Sequence, residues 1–498
     1  MSDPRLPSCL ELPNNLDELN DLIEKAKDWA LMHGAGMRSK TNFSMDSLQF
    51  APFCLVPSVF PRKEFEKAVA IQETLNELIH KVAFCHEFLE ESLRDSAAGD
   101  SEFTGRLYKI YETVRKEGFN PRLTLGSVRS DVMLETACCK SRMRSETHKC
   151  SQTRTYCCLK QVEFNTIAAG FLQLGPISGQ LHRFILQEMG HIDKLKNLPE
   201  NNALAGASLG LIEAWKLFGN KQSVILIVIE DVVMNICDQR FLEFKIGELC
   251  PEARTIRRTL TDINKRARLD DHKNLIIDGF VVAVAYLRTG YTPELFANDG
   301  EWDALLTMER SSAIKCPSVQ YHLAGTKKVQ QLLAKPGVLE RFITDPQKVK
   351  AVRELFTGLY AFDFDESGEK AIDMAIENPE RFVLKPQREG GGNNVYGTKI
   401  RDLLIEMRSS KERTGWILMD RIVPPAQENI IVRVGKKPAS EDIVSELGIF
   451  GIIIGDAQKI VYNKQVGHML RSKTSTADEG GVAAGFGCLD SPYLVDYC

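Results

Sequence analysis

The sequence predicts a protein of mixed α/β (α+β) class, and three observations support this. The chain has 498 residues, of which 43% are hydrophobic and 26% are charged, a balance typical of globular proteins with two or three domains. Helical periodicity dominates the first hundred residues, whereas β-branched runs alternate with helical segments from residue 223 to residue 290. After Arg381, short strands alternate with glycine-rich loops.

Charge and hydropathy exclude several classes of function. The net charge of -4 lacks the basic footprint of a dedicated nucleic-acid-binding protein. The most apolar runs, residues 224–229 and 275–287, are shorter than the ~20 residues of a membrane helix and are typical of buried strands. No basic segment followed by an apolar stretch opens the chain, so we expect no secretory signal. The thirteen cysteines then indicate mostly free thiols in a reducing, cytosolic compartment.

The N-terminal elements follow from hydrophobic spacing. From Lys63 to Asp95, apolar residues recur three and four positions apart, which predicts one long amphipathic helix. Residues 122–134 predict a strand that contains Arg129 and Asp131. After an interruption, apolar and polar residues alternate again over residues 159–167, which predicts a second strand.

That interruption is a cysteine-rich segment, residues 137–158, with five basic residues, one acidic residue and few aliphatic side chains. Its composition predicts an exposed loop. Its Cys and His residues could in principle supply zinc ligands, but no C-x-x-C spacing is present. We therefore favour a thiol-rich loop over a zinc site.

The segment from Arg381 to Gly397 carries the strongest chemical signal. Lys385 ends a predicted strand, and Glu389 directly precedes three glycines, Gly390–Gly392. Such glycines let the backbone approach a polyphosphate and offer N–H donors. A lysine would neutralise phosphate charge, and a carboxylate beside phosphates suits Mg²⁺. This segment therefore predicts a nucleotide phosphate site.

Other segments can complete that site. Residues 416–425 form an apolar strand stopped by two prolines, which could serve as the hinge that meets adenine. Arg471 and Lys473 are two residues apart, hence on one face of an extended segment, and a second glycine-rich loop at 480–485 suggests mobile lids. Glu163 and Asn165 likewise share one side of a strand, and with Glu389 they make a set of oxygen donors suited to magnesium.

Several long motifs occur in the order found in one family. They are RSD at 129–131, EFNTI at 163–167, YLRTGYTP at 286–293, LAGTKKVQQLL at 323–333, KPQREGGGNNVYG at 385–397, ILMDRI at 417–422 and GHMLRSK followed by DEGGVAAG at 467–485. With these motifs the sequence resembles the eukaryotic glutathione synthetases over essentially its whole length.

The resemblance implies an ATP-grasp fold with a small inserted α/β substrate-binding domain. Residues 1–221 would form the N-terminal part of the main domain, residues 222–324 the inserted domain, and residues 325–498 the C-terminal part with the glycine-rich lids. It also implies a cytosolic homodimer that ligates γ-glutamylcysteine and glycine through an acyl phosphate and releases ADP and phosphate. Two alternatives stay open: a sister ligase that uses β-alanine or serine, and a catalytically impaired nucleotide-binding paralogue.

The family motifs also imply roles for individual residues. The Mg²⁺ ligands would be Glu163, Asn165 and Glu389. The residues around ATP would be Glu163, Lys315, Lys385, Glu389, Gly390, Gly391, Gly392, Asn393, Asn394, Tyr396, Met419, Asp420, Arg421, Ile422, Glu446, Lys473 and Glu479. The residues on the peptide substrate or product would be Arg129, Asn235, Gln239, Arg288, Tyr291, Arg471, Val482 and Ala483. Arg129, Arg471 and Lys385 would be catalytic.

Several positions depart from the family pattern. Val233 lies where the family usually has an acidic residue near the substrate amine, and Ala168 and Gly170 replace small polar residues next to EFNTI. The family's ATP-contacting lysine corresponds either to Lys315 or to the next position, which is Cys316. The arginines also have a purely structural alternative, in which Arg129 pairs with Asp131, and Arg471 with Asp478 or Glu479.

Overall fold

The computed structural model describes residues 5–119, 123–137, 155–389, 391–482 and 485–496. Most of the cysteine-rich segment lies outside these ranges, as do Gly390 and Ala483, so the predictions for them are not addressed by the structure. Within the described ranges, no helix is long and apolar enough to cross a membrane. The mixed helix and sheet class is confirmed.

The largest element is a sheet of seven strands in the described chain, here called the central sheet. Of its long neighbouring strands, Ala439–Gly455 and Ile460–Thr474, the first is rich in buried Ile and Leu and packs against the helix Arg62–Ala83. The order across the sheet is Gln427–Val432, Phe53–Cys54, Gly487–Asp490, Ile460–Thr474, Ala439–Gly455, Thr124–Glu135 and Cys158–Asn165. Gln427–Val432 also pairs with Ala439–Gly455, so five of the strands form a closed ring.

The second sheet belongs to the α/β segment. Its parallel core has the order Thr255–Thr259, Val224–Ile229, Phe280–Leu287 and Ile314–Cys316. Two short antiparallel strands, Leu275–Ile277 and Arg268–Leu269, extend from Phe280–Leu287. The alternation of β-branched runs and helical segments correctly predicted parallel strands here, because such strands need a crossover between them.

A third sheet of four antiparallel strands, here called the lid sheet, carries the first glycine-rich loop. Its order is Leu359–Ala361, Trp416–Asp420, Phe382–Pro386 and Val395–Tyr396. The helices Glu366–Glu377 and Thr398–Met407 pack on it around a separate apolar core that includes Phe382 and Leu418. The lid sheet therefore has its own core.

The expected single helix from Lys63 to Asp95 is wrong, because the structure has two helices there. The first, Arg62–Ala83, ends at Phe84, and the second, His86–Gly99, follows directly and packs on Thr104–Glu117. The apolar spacing continues across the break, so periodicity alone did not reveal it.

The remaining elements are further helices and two pairs of short strands. The other helices are Leu16–Met32, Leu174–Glu188, Ala203–Phe218, Ile236–Leu249, Leu260–Arg266, Asp299–Arg310, Val319–Ala324, Lys327–Leu333 and Pro346–Leu355. Gly36–Met37 pairs with Gln49–Phe50, and Ser58–Pro61 with Pro492–Val495.

Candidate active site

A cavity of about 700 Å³ lies between the central sheet and the lid sheet and extends to the parallel sheet. Most of the residues expected at the site line it. They are Arg129, Glu163, Asn165, Asn235, Arg288, Tyr291, Lys385, Glu389, Gly391, Asn393, Asn394, Tyr396, Met419, Asp420, Arg421, Ile422, Glu446, Arg471, Lys473, Glu479 and Val482. Residues far apart in sequence thus converge on one space.

Three expected residues lie elsewhere. Lys315 is buried, and its Nζ donates to the carbonyl oxygens of Glu309 at 3.3 Å and Ser311 at 3.0 Å. Gln239 donates to Asn235 Oδ1 at 2.9 Å and thus supports a lining residue from behind. Gly392 is exposed beside the cavity. The position of Lys315 therefore does not support the expected contact with ATP.

Lys327 also lines the cavity, and its motif predicted no role for it. It begins the helix Lys327–Leu333, and its side chain is only 4% exposed. Its Nζ lies 2.5 Å from Glu389 Oε1 and 3.5 Å from Glu163 Oε2. The quoted LAGTKKVQQLL motif contained this residue, but hydrophobic periodicity does not distinguish it from other helical lysines.

This cluster shifts the pKa of each of its members. Burial opposes ionisation of Glu163, but the charges of Lys327 and Lys385 outweigh it and lower the pKa of Glu163 to about 2. Burial raises the pKa of Glu389 to about 7, although Lys327 opposes the shift. Burial also lowers the pKa of Lys385, whose Nζ donates to the Val162 carbonyl oxygen at 2.8 Å.

The oxygen donors fit a magnesium ion. Glu389 Oε2 is buried and has no hydrogen-bond partner among the described residues. Asn165 Nδ2 donates to Asp131 Oδ2 at 3.0 Å, so the amide nitrogen is already occupied. In the part of the chain that the structure describes, no group of three or more His, Cys, Asp or Glu side chains is arranged for a metal. Two carboxylates and an amide suit an ion that completes its shell with phosphate oxygens and water.

Two arginines and two acids form a buried network on the central sheet. Arg129 donates from Nε to Asp131 Oδ1 at 2.6 Å and from Nη2 to Oδ2 at 2.7 Å, so the expected pairing with Asp131 is confirmed. Arg471 pairs with Glu446 at 2.6 Å. The alternative pairing of Arg471 with Asp478 or Glu479 is wrong, because Glu446 lies directly opposite Arg471 on the neighbouring strand.

The two glycine-rich loops meet at the mouth of the cavity. Gly391 has φ 71° and Gly392 has φ 80°, a left-handed conformation that residues with a Cβ rarely adopt. The Asn394 backbone N–H donates to Glu479 at 3.3 Å, which joins the first loop to the second. Lys473 Nζ donates to the carbonyl oxygen of Asp478 at 2.6 Å.

The far end of the cavity lies at the carboxyl edge of the parallel sheet, where open α/β sheets bind ligands. Glu230 follows the strand Val224–Ile229, and Arg288 follows Phe280–Leu287. Tyr291 Oη donates to Glu230 at 2.7 Å. Arg288 Nη1 is buried and finds no acceptor within the described ranges. Sequence reasoning missed Glu230, although its position after an apolar strand was a usable signal.

The chain is similar to known proteins over nearly its whole length. A family model described as eukaryotic glutathione synthase, ATP-binding domain, matches residues 16–494. The chain is 41% identical to a glutathione synthetase from Xenopus laevis, over 97% of this chain and 99% of that protein. It is 39% identical to a glutathione synthetase from Homo sapiens, over 96% and 97% respectively.

A solved structure is also similar over nearly the whole chain. It is a glutathione synthetase-like effector from Globodera pallida in the apo form, with a TM-score of 0.74 and 27% identity over 97% of this chain and 98% of that one. This likeness is consistent with the expected ATP-grasp fold. From the family match and the full-length identities together, the chain belongs to the eukaryotic glutathione synthase family.

Proposed function

We propose that the protein uses ATP to join γ-glutamylcysteine to glycine, with glutathione, ADP and phosphate as products. One observation carries this proposal: a single cavity holds a lysine–carboxylate cluster at Lys327 next to the Arg129 and Arg471 network, and both Glu230 and Arg288 line its far end. These suit, in order, a polyphosphate, a reacting carboxylate and an amino-acid head group. Family membership supports the same assignment.

The nucleotide would lie between the central sheet and the lid sheet. The apolar side chains of Met419 and Ile422 line the wall beside which adenine would stack, and Tyr396 lies nearby. Lys385 and Lys473, from opposite sheets, would face the phosphates. The contact between Asn394 and Glu479 would close the lid loops over them and exclude water from a hydrolysable intermediate.

Glu163, Asn165 and Glu389 would hold Mg²⁺ beside the phosphates. When bound, the ion supplies positive charge that offsets the charge of the phosphate groups. Lys327 holds the two carboxylates together, since its Nζ contacts both.

The reaction needs no nucleophile on the protein. A cysteinyl carboxylate oxygen attacks the γ-phosphorus, the bond from that phosphorus to the bridging oxygen breaks, and ADP leaves. The glycine nitrogen then attacks the acyl carbon, the amide bond forms, and phosphate departs with the electrons of the C–O bond while the amine gives up a proton. Arg129 and Arg471 would orient the carboxylate and stabilise the negative charge in both steps.

Glu230 and Arg288 would bind the α-amino and α-carboxylate groups of the γ-glutamyl residue. A carboxylate and a guanidinium that both line this end of the cavity match the opposite charges of this head group. Val233 departs from the family pattern, and its side chain is buried. Glu230, three residues earlier, lines the cavity and supplies an acid at this end.

Product analysis tests the proposed function. Purified protein would be incubated with γ-glutamylcysteine, MgATP and either glycine, β-alanine or serine, and products would be identified by mass spectrometry. We expect glutathione from glycine, with one ADP and one phosphate per peptide formed. A product from β-alanine or serine alone would indicate the sister ligase, and ATP binding without any product would indicate the impaired paralogue.

We also propose a cytosolic homodimer. Five apolar side chains are exposed, from 40% to 79% accessible, near the strand pair Gly36–Met37 and Gln49–Phe50 and on the helix Ile236–Leu249. They are Met32, Phe43, Met45, Leu48 and Phe244. A surface of this kind is typical of an interface. Light scattering of Met45→Glu and Phe244→Glu variants would show monomers if the surface is the interface. Eight of the described cysteines are free thiols, whereas Cys157 is disulfide-bonded, and this predominance of free thiols supports a reducing compartment.

A further inference from the structure

We propose that Asp131 is a positioning residue for the ligation, whose carboxylate fixes Arg129 for the reacting end of the substrate and also contacts Arg471 and Asn165. This inference rests on the proposed function, because it concerns how the same site is held in place.

The contacts of Asp131 carry the inference. Its side chain is 0% exposed. It accepts two hydrogen bonds from Arg129, at 2.6 and 2.7 Å, and one from Asn165 at 3.0 Å. Arg471 Nη2 lies 3.8 Å from Asp131 Oδ2. One carboxylate thus contacts two residues expected on the substrate and one expected on the metal.

Asp131 reaches the cavity only through these partners. Arg129, Asn165 and Arg471 all line the cavity, whereas Asp131 lies behind them. It therefore has no path to the substrate or the reacting atoms. Any effect of Asp131 on substrate affinity must pass through the side chains that it holds.

The hydrogen bonds also determine how Arg129 can bind. A guanidinium has five N–H donors. Asp131 takes two of them, and the carbonyl oxygen of Gly170 takes one from Nη1 at 3.0 Å. The other two are left for a substrate carboxylate in a fixed direction. Arg471 keeps a buried Nε that has no acceptor among the described residues, so it too has a donor available.

A double-mutant cycle tests the inference. The variants Asp131→Asn, Arg129→Gln and the double variant would be compared with the wild type by KM for γ-glutamylcysteine, KM for ATP, kcat and melting temperature. Misplacing a catalytic group by about 1 Å costs ~10²-fold in rate. We expect Asp131→Asn to lower kcat/KM for γ-glutamylcysteine by ~10²-fold, mainly through KM, with KM for ATP within about twofold of the wild type.

The double variant separates positioning from a structural role. If Asp131 acts through Arg129, the double variant loses no more activity than Arg129→Gln alone, because effects of coupled residues do not add. If Asp131→Asn alone fails to fold, the double variant, which removes both charges of the pair, still allows the comparison with Arg129→Gln. A double variant at least tenfold slower than Arg129→Gln would overturn the inference, as would an Asp131→Asn enzyme with unchanged kcat/KM.

Glu369→Gln is the matched control. Glu369 pairs with the buried Arg413 at 2.6 Å and does not line the cavity. This variant should lower the melting temperature and leave both KM values unchanged. Failure of the proposed function would appear differently, since the wild type itself would then form no glutathione.

Discussion

Lys327 and Glu389 form a buried ion pair at the centre of the cavity, with Nζ 2.5 Å from Oε1 and the two side chains 4% and 13% exposed. The same Nζ lies 3.5 Å from Glu163. One ammonium thus balances two carboxylates that would otherwise repel each other. The second oxygen of Glu389 is left without a partner in the described chain, available for a cation.

The carboxylates should be essential for turnover. Glu389→Gln and Glu163→Gln each remove an anionic ligand while keeping size and hydrogen bonding, so we expect kcat to fall by ~10²-fold or more with the protein still folded. Initial rates at saturating Mg²⁺ and a thermal melt would measure this. Glu340→Gln, which removes a surface pair with Arg353, should match the wild type. Near wild-type turnover in either cavity variant would show that the residue is not a ligand.

Replacement of Lys327 should impair turnover, whereas replacement of its neighbour Lys328 should impair stability. Lys327→Met leaves Glu163 and Glu389 without their shared cation, so we expect turnover to fall by at least ~10²-fold and Mn²⁺ to bind more tightly in the absence of nucleotide. Electron paramagnetic resonance of Mn²⁺ would measure the binding. Lys328 pairs instead with Asp363 at 2.6 Å and lies outside the cavity lining. Lys328→Met should lower the melting temperature and leave Mn²⁺ affinity unchanged.

Buried histidines should make stability depend on pH. Burial lowers the pKa of His468 to about 3, whereas an unfolded histidine titrates near 6.5. Between these values the unfolded state binds more protons, so this contribution to stability is present above pH 6.5 and is lost as the pH falls. At pH 5.5 the loss is ~1.4 kcal/mol for one such histidine.

Urea unfolding at pH 7.5 and 5.5 would measure it. His468→Asn should lose less stability than the wild type on acidification. The buried carboxylates, whose raised pKa values act with the opposite sign, contribute to both proteins, so their contribution cancels in this comparison. The exposed His272→Asn should behave as the wild type. Equal pH dependence of His468→Asn and the wild type would contradict the prediction.

Local pattern predicted the parts of the site that a single segment determines. Strand alternation predicted Glu163 and Asn165 on one face, and the lysine before three glycines predicted a loop that the structure places at the cavity. The partner of Arg471 could not be found this way, because Glu446 lies opposite it through the register of two long strands. Proximity in the sequence favoured Asp478 and Glu479 as partners of Arg471 instead.

Lys327 shows a second limit of sequence reasoning. Its function depends on a buried position beside two carboxylates from other elements, and no spacing in the sequence reports that. For Arg129, the sequence offers substrate binding and pairing with Asp131 as two alternatives. The structure shows that Arg129 both lines the cavity and pairs with Asp131, because its donors point in two directions.

Glu230 should set the affinity for the γ-glutamyl end of the substrate. Burial raises the pKa of Glu230, while the hydrogen bond from Tyr291 and the charge of Arg288 oppose the shift. Glu230→Gln removes the charge that would pair with the α-ammonium, so we expect KM for γ-glutamylcysteine to rise ~10-fold or more, the size of a hydrogen bond to a charged group, with KM for ATP unchanged. The neighbouring exposed Asp231→Asn, which lies outside the cavity lining, is the matched control and should leave both constants unchanged.

Glutarylcysteine, which lacks the α-amino group, separates recognition of the amine from a general loss of shape. The wild type should prefer γ-glutamylcysteine over this analogue, and Glu230→Gln should lose most of that preference. If the variant keeps the full preference, Glu230 does not bind the amine.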